Sequence, residues 1–247
     1  MTETFPVTEI FGPTIQGEGA MIGTVTHFVR FGGCDYRCAW CDSAHAVLPE
    51  QVRLAERLTS LDIVHRLEEL PYAQWVTLSG GNPALLELND FILLALPLGF
   101  RFAAETQGTL WKDWLQYLDF LTVSPKGPSS GNETPLEVTQ AFVEKVQVFF
   151  AEDSWCLKVV VFNTKDYEYA RKLREVFTEV PFFLSVGTFM GGLRGTFAGG
   201  TIDSRDTLLG RLQWLAEKAG RDSVFAGSGV RVLPQLHALI WGHGRGF

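Results

Sequence analysis

The sequence is poor in basic residues and has no long hydrophobic run. Its 247 residues include 21 Lys and Arg against 28 Asp and Glu, so the formal net charge is −7. No segment is dense in Lys or Arg, which makes nonspecific nucleic-acid binding a poor fit. The longest apolar stretch, residues 91–98, is too short to span a bilayer. The first residues also lack the regions of a secretory signal, so we expect a cytoplasmic protein without a membrane anchor.

Low-complexity segments and short repeats are lacking as well. Hydrophobic residues make up 46% of the chain and charged residues 20%, which argues against disorder. A chain of this length forms one large domain or two small ones. We expect a single domain that comprises residues 1–247.

Cysteines are few, and their positions exclude a disulfide framework. Three of the four, Cys34, Cys38 and Cys41, fall within eight positions, and Cys156 is far away. A disulfide framework would have more even spacing and a secretory context. The tight cluster therefore predicts metal binding or redox chemistry.

Strand-like and helix-like stretches alternate along most of the chain. The predicted strands are short and apolar, and they comprise residues 26–31, 75–79, 101–104, 120–124, 157–162 and 182–186. Thr59 and Asp62 form a capping-box pattern before one helix, Pro135 begins another, and residues 166–177 and 205–219 form two more. Such β–α units in series favour a parallel sheet. A partial or modified TIM-like (β/α) barrel and an open doubly wound sheet both fit this length.

Polar and glycine-rich segments follow almost every predicted strand. They comprise residues 34–43, 80–83, 105–108, 124–126 and 185–188. In parallel α/β architectures the carboxyl ends of the strands lie on one face, and that face carries the site. We therefore expect these segments to converge, although they span some 150 positions of the sequence.

The cysteine cluster has the spacing C-x3-C-x2-C. Three thiolates on one short loop can hold three irons of a [4Fe–4S] cluster, which leaves the fourth iron open to a ligand. An alternative is a zinc site with His45 as the fourth ligand, although structural zinc sites usually draw ligands from two separated segments. Cys156 is either a distant fourth ligand or, more commonly for a cysteine in an apolar run, a small core residue.

The cysteine spacing, with Trp40 before the last cysteine, resembles the signature of the radical S-adenosylmethionine (SAM) superfamily. Gly80-Gly81-Asn82-Pro83 occupies the place of the glycine motif of that superfamily. The resemblance implies an α/β fold, a partial or modified (β/α) TIM-like barrel of the radical SAM type. It also implies a [4Fe–4S] cluster and SAM as cofactors.

Further motifs resemble the 7-carboxy-7-deazaguanine synthase family over the whole chain. They comprise residues 9–19, 28–30, 33–34, 41–43, 105–109, 124–126 and 233–237. This resemblance implies a lyase that contracts the ring of 6-carboxy-5,6,7,8-tetrahydropterin to 7-carboxy-7-deazaguanine and releases ammonia. It also implies that hydrogen taken from the substrate by the adenosyl radical is later returned, so that SAM is regenerated. The step belongs to 7-deazapurine (queuosine) biosynthesis. The family also implies Mg²⁺, an electron donor such as flavodoxin, and a homodimer.

The resemblance assigns roles to individual residues. The cluster ligands would be Cys34, Cys38 and Cys41, and Ser43 would bind Mg²⁺. The residues expected to bind SAM are Trp40, Cys41, Asp42, Gly81, Glu105, Ser124, Pro125 and Lys126. The residues expected to bind the pterin are Ile15, Gln16, Gly17, Glu18, Arg30, Ser79 and Phe247. Glu105 fits the ribose of SAM or the substrate equally, and Gln107 and residues 185–188 are weaker candidates.

The chemistry of three of these residues supports the assignment. Arg30 can pair with the substrate carboxylate through two hydrogen bonds, and Glu18 can accept hydrogen bonds from pterin N–H groups. Ser43 offers the oxygen ligand that Mg²⁺ prefers, or it is simply a helix N-cap.

Two other functions are compatible with the cysteine loop. One is a radical SAM activase that makes a glycyl radical on a partner protein, which residues 16–19 and Arg30 do not suit. The other is a noncatalytic zinc-binding module. Iron and sulfide content would separate the zinc module from both enzymes.

Overall fold

A computed structural model describes residues 3–189, 204–242 and 246 of the chain. Its described strands form one sheet in the order β3-β1-β2-β4-β5-β6-β7-β8-β9. The strands are β1 (Phe5–Ile15), β2 (Val25–Phe31), β3 (Glu56–Leu58), β4 (Trp75–Gly80), β5 (Arg101–Thr106), β6 (Phe120–Val123), β7 (Trp155–Val161), β8 (Phe182–Val186) and β9 (Arg231–Leu233).

Helices follow most of the strands. They are α1 (Ala44–Val47), α2 (Pro49–Val52), α3 (Ser60–Glu68), α4 (Asn89–Ala95), α5 (Leu136–Phe149), α6 (Thr164–Val176), α7 (Arg205–Arg221) and α8 (Leu236–Trp241). Short 3-10 turns lie between some of these elements, including Gly19–Met21 after β1. The capping box predicted at Thr59 and Asp62 is present at the start of α3. Among the described helices, none combines the length and the apolarity needed to cross a membrane.

The sheet is mostly parallel and open at both ends. Strands β2, β4, β5, β6, β7, β8 and β9 pair in parallel in that order, whereas β1 is antiparallel to both β2 and β3. Because the described strands at the two edges, β3 and β9, do not pair with each other, the sheet does not close. This architecture is a partial (β/α) barrel, as the resemblance to the radical SAM superfamily implies.

Side chains alternate between the two faces of the sheet, as the pleat of a strand requires. Val29 and Phe31 of β2 and Leu78 of β4 point into the large apolar core that also contains residues of the helices. Phe28 and Arg30 alternate with Val29 and Phe31 along β2, and they line a cavity on the other face of the sheet. The apolar face therefore anchors the helices, and the inner face is available for polar groups.

The six predicted strands are confirmed within two residues at each end, but three further strands were not predicted. β1 carries Gly12 and Pro13 in its middle, and the pairing with β2 is irregular there. Gly and Pro normally interrupt strand patterns, so residues 9–19 were recognised only as a motif. β3 and β9 have three residues each, too few for a periodicity. A possible insertion at residues 191–207 falls mostly outside the described residues.

Candidate active site

The carboxyl ends of the parallel strands surround a cavity of about 410 Å³ on the inner face of the sheet. The cavity brings together most of the residues predicted for the site, namely Ile15, Gln16, Gly17, Glu18, Arg30, Cys34, Cys38, Trp40, Cys41, Asp42, Ser43, Ser79, Gly81, Glu105 and Lys126. Gln107 and His237 also line it. The expected convergence of segments that follow different strands is thus present in the structure.

Three predicted residues lie elsewhere or are not described. Ser124 is buried behind the cavity wall, and its Oγ accepts a hydrogen bond of 3.0 Å from Lys126 Nζ. Pro125, between them, is also buried. Neither lines the cavity directly. Phe247 falls outside the described residues, so its predicted contact with the substrate stays a prediction.

The cluster loop, residues 34–43, follows β2 and is held by the loop of residues 127–134. Ala39 N donates to Ser130 O at 2.8 Å, and Trp40 Nε1 donates to Ser129 Oγ at 2.9 Å. Asn132 bonds both backbone groups of Arg37: its Oδ1 accepts from N at 3.3 Å, and its Nδ2 donates to O at 3.1 Å. These bonds fix the cysteine loop although it has almost no regular structure.

Asp35 connects the cluster loop to the next two strands. Its carboxylate accepts a hydrogen bond from Asn82 Nδ2 at 2.9 Å, after β4. It also accepts from Gln107 Nε2 and from Thr109 Oγ1, after β5. Gln107 Nε2 lies 3.6 Å from Cys34 Sγ as well. Polar groups after β4 and β5 therefore position the start of the cluster loop, including Cys34.

Close packing of two backbone segments explains the glycines after β4. A Cβ atom on Gly81 would lie 1.9 Å from the carbonyl oxygen of Gly33, the residue before the first cluster cysteine. Gly80 has φ +121° and would place a Cβ 2.0 Å from Phe31 O. Real Cβ atoms do not approach backbone this closely, so both positions require glycine. The motif thus seats the cluster loop against β4, besides leaving its backbone open to the cavity.

At least one pair of the three clustered thiols is spaced more widely than a single zinc ion requires. At a Zn–S distance of about 2.3 Å, tetrahedral geometry separates the sulfurs by about 3.8 Å. Cys34, Cys38 and Cys41 do not form a group whose Sγ atoms all lie within 4.8 Å of one another among the described residues. His45 is not part of such a group either, and its Nε2 lies 3.4 Å from Glu9 Oε2.

A [4Fe–4S] cluster fits these thiols because each thiolate binds a different iron. Burial raises the pKa of Cys38 to about 11 and that of Cys41 to about 12. The thiols of the metal-free chain therefore keep their protons, which bound metal displaces. Cys156 is fully buried on β7 with Ala103 and Phe183, as expected for a core residue.

Arg30 lies between an acid and the residue predicted to bind Mg²⁺. Its Nε donates to Glu9 Oε2 at 2.9 Å, and its Nη1 donates to Ser43 Oγ at 3.0 Å. Burial raises the pKa of Glu9, but hydrogen bonding to His45, the largest single cause, and the charge of Arg30 lower it overall. Ser43 Oγ in turn donates to Asp42 Oδ1 at 3.1 Å. The guanidinium and the hydroxyl are thus adjacent on one wall of the cavity.

A buried ionic group forms another part of the cavity wall, and sequence reasoning missed its central residue. Lys158 of β7 contacts Glu18, which follows β1, and Glu105 of β5. Gln235 Nε2 donates to Glu18 Oε1 at 2.7 Å from the segment before α8. A signal was available: Lys158 is the one charged residue in a strand that reads WCLKVVV, and a charge buried in a sheet requires partners.

A second, smaller recess adjoins the cavity near Trp40. The Trp40 ring packs on Phe162 with a centroid distance of 5.0 Å. Gly187 lies against the Phe162 ring, because a Cβ on Gly187 would be 2.0 Å from Phe162 Cε2. Thr188 Oγ1 is buried and has no hydrogen-bond partner among the described residues. Of the weaker candidates at residues 185–188, Gly187 and Thr188 line this recess, and a role in SAM binding stays a prediction.

Comparison with known proteins relates the whole chain to one enzyme. It is 44% identical to the 7-carboxy-7-deazaguanine synthase of Bacillus cereus over 98% of both chains. It is 41% identical to the same enzyme of Bacillus subtilis over the full length of both. No protein-family model matches the chain.

Among solved structures, QueE from Escherichia coli superposes with a TM-score of 0.58 and 25% identity, covering 74% of this chain and 83% of that one. A second structure, anSMEcpe with bound AdoMet and a peptide, has a TM-score of 0.52 at 16% identity and covers 85% of this chain and 64% of that one. The second likeness concerns the fold alone.

Proposed function

The chain belongs to the 7-carboxy-7-deazaguanine synthase family, and from this membership we propose how the residues of its cavity serve the family's reaction. The protein is a radical SAM lyase that converts 6-carboxy-5,6,7,8-tetrahydropterin to 7-carboxy-7-deazaguanine with loss of ammonia, a step in queuosine biosynthesis. Its cofactors are a [4Fe–4S] cluster and SAM. When bound, these two groups supply the hydrogen-abstracting chemistry, and the chain supplies their binding and that of the substrate.

In our proposal Cys34, Cys38 and Cys41 hold the cluster. Trp40, Asp42 and the backbone of Gly81, which line the cavity beside the cysteines, would hold SAM. Lys126, tied to Ser124 at 3.0 Å, borders the same cofactor, and Pro125 shapes the turn between them. The recess at Trp40, Phe162 and Thr188 offers aromatic and hydroxyl contacts to the adenosine part. Glu105 reaches both this recess and the main cavity.

We propose that the substrate carboxylate binds where Arg30 and Ser43 meet. The Arg30 guanidinium and the Ser43 hydroxyl are 3.0 Å apart, so a carboxylate can accept from the first while a metal ion held by the second binds its oxygen. Mg²⁺ prefers hard oxygen ligands and keeps several waters, so one protein ligand plus substrate oxygens is sufficient. This juxtaposition is the observation that supports a Mg²⁺ site.

The part of the cavity wall at Glu18 and Lys158 is suited to the ring of the pterin. Gln16 and Gly17 line it, with Gln16 Oε1 accepting from Gly17 N at 2.8 Å, and Ser79 adds a hydroxyl that has no partner among the described residues. Glu18 remains ionised there, because the charge of Lys158 outweighs the burial that would raise its pKa. An ionised carboxylate accepts hydrogen bonds from N–H groups, which a pterin carries along its pyrimidine edge. The cavity therefore has a carboxylate-binding end and a ring-binding end, as this bifunctional substrate requires.

Other parts of the proposal rest on family membership alone. They are a homodimer, an electron donor such as flavodoxin, action in the cytoplasm, and a single catalytic domain of residues 1–247. In agreement with the last, all described strands belong to one sheet.

Anaerobic turnover tests the proposal. The protein is reconstituted with iron and sulfide and given reductant, SAM, Mg²⁺ and the carboxytetrahydropterin, and the product is identified by mass spectrometry. We expect 7-carboxy-7-deazaguanine from the wild type and none from Cys38→Ala. Reductive cleavage of SAM without this product would refute the substrate assignment. Zinc in place of iron in protein isolated without oxygen would refute the cluster.

A further inference from the structure

Lys158 is a buried cation shared by two carboxylates of the cavity. Only 1% of its side chain is exposed, and it projects from β7 to the inner face of the sheet. Its Nζ lies 2.7 Å from Glu105 Oε1 and 2.8 Å from Glu105 Oε2, and it also donates to Glu18 Oε2. Both carboxylates line the cavity that we assign to the substrate.

Burial of the Lys158 ion pairs is an unfavourable way to stabilise the fold, because the charged groups lose their hydration. Removing a charge from water costs several kcal/mol, and apolar replacements of buried ion pairs are often no less stable. Lys158 follows Cys156 and precedes Val160 on the same face of β7, where an apolar side chain would fit. Its cationic end is instead directed at two carboxylates that face the cavity, which indicates a role in the site.

We propose that Lys158 is a positioning residue that fixes Glu18 and Glu105 as an ionised pair, and that this pair selects ligands with an amino-bearing pyrimidine edge over ligands with an oxo-bearing edge. The inference rests on the proposed function, because it assumes that the pterin ring binds at this wall. Glu18 is held from both sides, by Lys158 at Oε2 and by Gln235 at Oε1, so its orientation is fixed before any ligand binds.

The selection follows from hydrogen-bond polarity. A pterin offers the 2-amino group and N3–H as adjacent donors, and a carboxylate accepts from both. A lumazine has an oxo group at position 2, and an ionised carboxylate opposite that acceptor is repelled. Burial raises the pKa of Glu18, and without the Lys158 charge and hydrogen bond only His237 and the Gln235 hydrogen bond would oppose it. A protonated Glu18 could then donate to the oxo group, and the preference would disappear.

Several other ionisable groups lie near Lys158, Glu18 and Glu105, and none of them is substituted in the test. Asp42 and His237 have ligand atoms within 4.8 Å of a Glu18 oxygen. Lys126 lines the same small recess as Glu18 and Lys158. Cys156 is two residues from Lys158 on β7, and burial raises its pKa to about 11, so it is neutral. The substitutions below leave all four unchanged.

The test measures the binding of two unreactive probes, 6-carboxypterin and 6-carboxylumazine, to the reconstituted enzyme by isothermal titration calorimetry. Wild type should bind the pterin about tenfold more tightly, since the lumazine leaves a buried carboxylate without its hydrogen-bond donor. Lys158→Met should reduce this ratio towards one. Lys112→Met removes the lysine of a surface pair with Glu87 and should leave the ratio unchanged. Lys158→Gln, which keeps a donor but not the charge, repeats the test if the methionine variant does not fold.

The outcomes separate the inference from its premise. A folded Lys158 variant that keeps the wild-type ratio of pterin to lumazine affinity would overturn the positioning role, whether or not both affinities fall. Wild type that binds neither probe would overturn the pterin assignment itself. Wild type that binds both probes equally would leave the pterin assignment standing and overturn the selection.

Discussion

The orientation and charge state of single residues in the cavity depend on the charges and hydrogen bonds around them as well as on residue type. Arg30 was predicted as a carboxylate ligand, and the structure shows that Glu9 and Ser43 fix its guanidinium. Residue types and spacing were sufficient to find Arg30, Glu18 and the cysteines. They could mark Lys158 only as a lone charge in an apolar strand, because its pairing with Glu18 joins residues 140 positions apart in sequence.

Ser43 provides a prediction about the metal. Ser43→Ala removes the hydroxyl that we assign to Mg²⁺, so activity should fall at least about tenfold and lose its response to added Mg²⁺. Ser43→Thr keeps the hydroxyl and should retain both. Initial rates measured against Mg²⁺ concentration check this, and an identical Mg²⁺ response in wild type and the alanine variant would contradict the assignment.

His27 provides a prediction about pH and stability. It is fully buried, its Nε2 accepts a hydrogen bond from Ala73 N at 3.2 Å, and burial lowers its pKa. The unfolded chain therefore binds a proton more readily, and the free energy of unfolding should decrease as the pH falls below the usual histidine range near 6.5. Urea unfolding at pH 7.5 and 5.5 measures this decrease.

The variant His27→Gln keeps a hydrogen-bond acceptor without the titration. It should show a smaller loss of stability between the two pH values than wild type. The exposed His65 is the matched control, and His65→Gln should leave the loss unchanged. An equal loss in wild type and His27→Gln would show that other groups cause the pH dependence.

At the scale of elements, the parallel strands were predictable and the edges of the sheet were not. Short apolar runs bounded by Gly, Pro, Ser or Asn located six strands within two residues. β1 was missed because Gly12 and Pro13 interrupt its pattern, although β2 pairs with it along most of its length. The contact between the glycine motif and the cluster loop was also invisible in the sequence, since it depends on the approach of β4 to the end of β2.

Gly81 tests this contact between elements. In Gly81→Ala the new Cβ would meet Gly33 O at 1.9 Å, so the cluster loop must move away from β4. We expect a lower unfolding temperature and a lower iron content after reconstitution. Gly210→Ala in α7 is the control, because a Cβ there meets nothing within 4 Å and should stabilise the helix by about 0.5–1 kcal/mol. Normal iron content and stability in Gly81→Ala would refute the steric role.

At the scale of the whole molecule, the partial barrel separates packing from chemistry. One face of the sheet carries the apolar core, and the other carries the groups that hold cofactor and substrate at the strand ends. Successive side chains of a strand point to opposite faces, so the sequence predicts that one face is apolar and the other carries polar groups. The extent of closure is set by which strands pair at the edges, and no local pattern in the sequence reports that.

The central claim is that this cavity contracts a carboxytetrahydropterin and uses SAM as a reusable cofactor. The most direct measurement is the amount of 7-carboxy-7-deazaguanine formed per SAM supplied, in anaerobic reactions where SAM is limiting. The account predicts more than one product per SAM, little free 5′-deoxyadenosine, and no product from Cys38→Ala. One 5′-deoxyadenosine released for each product, or SAM consumed without the product, would contradict it.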